Sequence, residues 1–124
     1  MYIRISKKLS RDDADLLNLV GSVLLEREDC LEFLKYLSQG ISFDVRDYLG
    51  IFLLSEHDTE GYSEYMSGYP DTGVLFYHGP LGTDCPETII GNKDFVLWLE
   101  VLFQNNKDEE VKTCLKAIRD RYWD

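Results

Sequence analysis

A chain of 124 residues is long enough to bury roughly two thirds of its unfolded surface, so it needs no disulfide or metal staple, and a single domain spanning 1–124 is expected. Its 23 acids against 13 bases leave a formal charge of −10. Such a balance argues against a nucleic-acid binder, which draws affinity from Lys and Arg on phosphates, and favours a basic protein partner.

Cys30, Cys85 and Cys114 form no C-x-x-C pair and read as reduced thiols of a cytoplasmic protein. The two N-terminal lysines precede no apolar signal region, and no apolar run reaches the length of a membrane span.

In chain order, Met1 to Ser6 alternates apolar and polar residues and predicts a short edge strand or an ordered leader. Ser10 followed by Asp13 predicts an N-cap, with Asp12, Asp13 and Asp15 at the positive end of a helix whose apolar stripe is Leu16, Leu17, Val20 and Leu24. Asp29 to Glu32 repeats the capping pattern. It opens a second helix with Cys30, Phe33, Leu34 and Leu37 on one face and Gly40 as its stop.

From Ile41 the period changes to two, Ile41, Phe43 and Val45 alternating with polar residues, which predicts a half-buried strand. Three short apolar pieces follow: Leu49–Leu54, Gly73–Gly79 and Glu87–Ile90. Too short for buried helices, they read as the centre of one sheet, the first two joined by a long loop over 56–72. Gly79 to Pro86 lacks a G-K-[ST] ending and reads as a turn, not a phosphate loop. Asn92 then caps a broadly apolar helix carrying Phe95, Val96, Trp98, Leu99, Leu102 and Phe103. Asn106 with Glu109 opens a last helix with the stripe Val111, Leu115, Ile118 and Tyr122. The expected fold is therefore α/β (α+β), a small central and largely antiparallel sheet flanked by about four helices.

The candidate binding surface is the acidic, aromatic stretch after the second helix. Asp44, Asp47, Glu56, Asp58, Glu60, Glu64 and Asp71 face a single base, Arg46, and are interleaved with Tyr48, Tyr62, Tyr65, Met66 and Tyr69. Tyrosine supplies contact area at small entropic cost, and carboxylates steer a basic partner. The alternative is a solvated acidic loop whose tyrosines lean on the sheet. The Glu56–Glu60 stretch lacks a calcium-loop register, so no metal is expected. His57, His78 and Cys85 belong to no catalytic motif, and surface histidines are the simpler reading.

An apolar strand ending in Ser55-Glu56, an acidic tyrosine-containing loop, Gly73-Val74-Leu75-Phe76-Tyr77-His78, Glu87-Thr88-Ile89-Ile90, Lys93-Asp94-Phe95 opening a helix, and a closing helix from Asp108-Glu109-Glu110 to Tyr122 follow one another in order. Over roughly residues 45–122 this succession resembles immunity proteins of bacterial contact-dependent growth inhibition that neutralise ribonuclease toxins. The resemblance implies a non-enzymatic cytoplasmic α/β domain that binds the C-terminal domain of a toxin, with no cofactor, small-molecule substrate, membrane or direct nucleic-acid contact. It transfers no binding residues, because each immunity protein matches its own toxin. Asp44, Asp47, Glu56, Asp58, Glu60, Tyr62, Glu64, Tyr65, Tyr69 and Asp71 are singled out on charge and loop placement alone. The rival expectations are an acidic adaptor without a toxin partner and a small hydrolase built on His57 and His78.

Overall fold

The computed structural model describes residues 9–56, 69–79 and 85–123. Helix α1 spans Arg11–Glu26, and Ser10 caps it as the pattern predicts: its hydroxyl accepts from the Asp13 amide at 3.1 Å. The stripe Leu16, Leu17, Val20 and Leu24 is buried, along with Gly21. Helix α2 spans Cys30–Ser38. Asp29 stands at its N-cap but makes no side-chain capping bond; its carboxylate is instead held by the Arg27 guanidinium at 2.8 and 3.1 Å. The same guanidinium donates to the Val45 carbonyl at 2.9 Å, so Asp29 orients a contact to the first strand and caps nothing. Gly40 ends the helix region in the left-handed conformation at φ 76°, where a Cβ is costly.

The sheet is an antiparallel meander in sequence order, β1 Phe43–Arg46, β2 Leu49–Leu53, β3 Val74–His78 and β4 Glu87–Ile90. Ile41, the expected start of the alternation, lies outside β1 and is exposed, while Val45 is fully buried. The register slips between Asp44, opposite Gly50, and Arg46, opposite Leu49, which leaves Val45 as the extra residue of a bulge.

Continuous apolar strands bury both faces, and the period of two divides them. Leu49, Ile51, Leu53, Val74, Phe76 and Ile90 join the main core with the helices. Phe52, Leu75 and Tyr77 point the other way, forming a smaller cluster with Leu54, Tyr69 and Ile89.

Helix α3 spans Asn92–Leu102 and α4 spans Glu109–Tyr122. Both caps differ from expectation. Gly91 precedes α3, and Asn92 is its first residue, with a side-chain oxygen buried and unpartnered. For α4 the cap is Asp108, accepting from the Glu110 amide at 2.9 Å, while Asn106 accepts from the Asp108 amide at 2.8 Å and shapes the approach. The buried stripe of α4 is Val111, Cys114, Ile118 and Tyr122; Leu115 is only partly covered, so the i+3 position carries the contact in place of i+4. Phe76 meets Trp98 edge-on at 4.9 Å, and Phe95 lies at 6.2 Å from Trp98 and 6.3 Å from Tyr122, an aromatic column tying β3 to α3 and α4. Cys30, Cys85 and Cys114 form no disulfide. No helix among the described residues is long and apolar enough to cross a membrane.

Candidate functional site

One cross-strand row organises the second face of the sheet: Asp44, Gly50, Tyr77 and Glu87 stand opposite one another on β1 to β4. Gly50 leaves a gap in that row. The Tyr77 side chain crosses it and donates its hydroxyl hydrogen bond to Asp44. A Cβ on Gly50 would lie 2.6 Å from the Tyr77 hydroxyl and would also strike the Phe43 carbonyl. At the other end of the row, the Tyr69 hydroxyl donates to Glu87 at 2.6 and 2.7 Å. Burial, reinforced by the adjacent carboxylate, pushes both phenols above their ordinary range, so they stay protonated and keep donating.

Two acids singled out from the sequence, Asp44 and Glu56, thus bond to other groups of the same molecule. Asp44 accepts from Tyr77, and Glu56 takes a bidentate grip from Arg121, both bonds 2.8 Å. That pair lies over Gly40, where a Cβ would sit 2.6 Å from the guanidinium. Tyr69 is half-buried on the Phe52–Leu75 cluster. A partner reaching Asp44, Glu56 or Tyr69 would compete with these internal bonds. Asp47 and Asp71 are exposed and take part in no ion pair among the described residues. Asp58, Glu60, Tyr62, Glu64 and Tyr65, together with His57 and Met66, lie outside the described residues.

The strand pairing brings together a second set of groups that sequence reasoning spread over other roles. A groove of about 450 Å³ runs between the start of α1 and the end of the β3–β4 pair. Leu16, Leu19 and Pro86 give it apolar lining, and Asp12, Asp13 and Asp15 give it carboxylates, with His78 and the Glu87 position on the opposite wall. Among the described residues no Lys or Arg lines it. The first-turn acids were legible only as complements to the helix dipole, a role that Asp12 and Asp13 retain. Their neighbours Glu87 and His78 come from strands more than 60 positions away, a proximity no local pattern encodes.

Beside the groove, the β1–β2 hairpin turns on Asp47 and Tyr48. Tyr48 adopts φ 54°, a left-handed conformation that costs a bulky residue about 1 kcal/mol, and its side chain is 60% exposed. The Gly79 amide donates to its carbonyl at 2.7 Å, and Leu49 stands opposite His78, so the tip is fixed against the rim of the groove.

Among the described residues no group of three or more His, Cys, Asp or Glu is placed to hold a metal ion. His78 makes no side-chain hydrogen bond or ion pair with another described residue, so no oriented base and nucleophile are found there. Comparisons with protein-family models, with curated proteins and with solved structures returned no match.

Proposed function

We propose that this chain is a binding protein that neutralises a basic ribonuclease toxin domain in the cytoplasm, in the manner of the immunity proteins its sequence resembles. One observation carries the reading. The described ion pairs engage Arg27, Lys35, Lys112, Arg119 and Arg121 with acids of the helices, their connections and the short turn at Glu56. Among the described residues, no cation pairs with Asp12, Asp13, Asp15 or Asp47 at the hairpin tip and groove. A formal charge of −10 with unneutralised carboxylates on one surface draws in a basic protein and raises its association rate. A ribonuclease must present cations to its RNA, so it is a partner of the required charge. The acids of 57–68, Asp58, Glu60 and Glu64, add to the same charge by composition.

Co-expression with the product of the adjacent reading frame tests this. The expected outcome is a complex that survives purification at low salt, with RNA cleavage by the partner suppressed and the association rate falling as salt rises. A neighbour that forms no complex, or that forms one and still cleaves RNA, would refute the reading. An acidic adaptor would instead co-purify with a partner lacking nuclease activity.

A further inference from the structure

We propose that the Asp47–Tyr48 tip and the adjoining groove form the seat for a lysine- or arginine-bearing segment of a protein partner, with Tyr48 as its anchor. The proposal rests on the reading above that the partner is a basic protein, and it locates the contact outside the 57–68 stretch.

Three features meet there. Tyr48 is the most exposed of the large apolar and aromatic side chains among the described residues, at 60% against 44% for Ile41, the next. Its backbone is fixed through the Gly79 amide and the Leu49–His78 pairing, and a tyrosine has only two side-chain torsions to lose when a partner covers it. The groove beside it has Leu16, Leu19 and Pro86 for an apolar stem, and Asp12, Asp13 and Asp15 for a cationic head. Lysine and arginine have that division, a methylene stem ending in a charge. The third feature is charge: among the described residues Asp12, Asp13, Asp15 and Asp47 enter no ion pair and no Lys or Arg lines the groove, an arrangement that suits a cation and repels a nucleic acid. A tyrosine anchor beside a charged rim is the arrangement in which truncating the aromatic slows nothing on approach but speeds departure, whereas neutralising the rim slows approach.

The test uses the full chain and three variants: Tyr48→Asn, which tolerates the left-handed backbone; Asp12→Asn with Asp15→Asn; and Asp120→Asn, a charge change on α4 away from the surface. Thermal melts establish that each is folded. Against the product of the adjacent reading frame, Tyr48→Asn is expected to raise the dissociation rate at least tenfold. The double variant should lower the association rate several-fold and flatten its salt dependence, with Asp120→Asn within twofold of the parent. If the parent binds and inhibits while Tyr48→Asn and the double variant match it, the seat is wrong and the proposed function stands. If the parent does not bind that neighbour, the proposed function fails and the seat is decided with a hexa-arginine peptide. Amide shifts centred on Leu16, Leu19 and His78, abolished in the double variant, would support it; diffuse shifts or none would overturn it.

Discussion

A methyl group at position 50 has no room. Gly50 lies in the middle of β2 with the Phe43 carbonyl, the Asp44 backbone and the Tyr77 hydroxyl all inside the sphere a Cβ would occupy. Neither backbone neighbour can step aside without breaking the β1–β2 pairing. Gly50→Ala is therefore expected to cost about 1–3 kcal/mol in chemical denaturation, the usual range for forced overpacking. Tyr77→Phe separates the bond from the shape: it keeps the ring over Gly50 and removes the donor to Asp44. The Asp44 carboxylate is exposed and can turn to water instead, so losing the bond is expected to cost about 0.5–1 kcal/mol, read from the same curves. Restoring balance with Asp44→Asn in the Tyr77→Phe background should recover part of the loss. In the sequence Gly50 is one more small residue in an apolar run; its purpose depends on which residues stand opposite it. Register is a tertiary property, and the pattern of one strand does not carry it.

At the scale of elements, much was legible because periodicity and capping act locally. The stripe of α1 and its Ser10 cap follow from spacing alone, and the three apolar pieces became β2, β3 and β4 because each is short, bounded by turn residues and rich in β-formers. The caps of the later helices were less so. Asp29, Asn92 and Asn106 all have side chains suited to capping, and each finds a different role: an ion pair with Arg27, the first helical position, and a bond to the Asp108 amide. A short polar side chain signals a nearby helix start without fixing the residue, because several backbone amides compete for it. Ser10→Ala and Asp108→Ala should each lower stability by about 1 kcal/mol in urea, and Asp29→Ala by less than either, since only the first two remove a capping acceptor. A larger loss at Asp29 would mean that the Arg27 contact to β1 matters more than the caps. The groove was the least legible element of all. Its acids sit in one helix and its opposite wall in β3 and β4, so each half looked complete by itself: dipole complement on one side, surface histidine on the other.

For the molecule as a whole, the phenols make a prediction about alkali. Tyr69 and Tyr77 hold the outer face through Glu87 and Asp44, and Tyr122 closes the core by donating to the Leu37 carbonyl at 3.2 Å. Burial raises all three, the Tyr122 phenol to about 12, with the Glu56 carboxylate adding to the effect. In the unfolded chain the same groups ionise near the ordinary value of about 10. Above that pH the unfolded state holds fewer protons than the folded one, so stability must fall as pH rises. The contribution is complete below about pH 10 and is lost on the way through the folded values. The denaturation midpoint should thus be level across this tyrosine contribution at neutral pH and drop steeply in alkali, with phenolate absorbance from these residues appearing together with unfolding. General repulsion in a chain of charge −10 also grows as lysines lose their protons. Salt separates the two causes, because it screens exposed charge and leaves the protonation of a buried phenol almost untouched. An alkaline transition that persists at high salt and moves upward in Tyr122→Phe relative to its own neutral baseline assigns the loss to buried tyrosine. A transition that vanishes at high salt assigns it to surface repulsion and contradicts the burial of these rings.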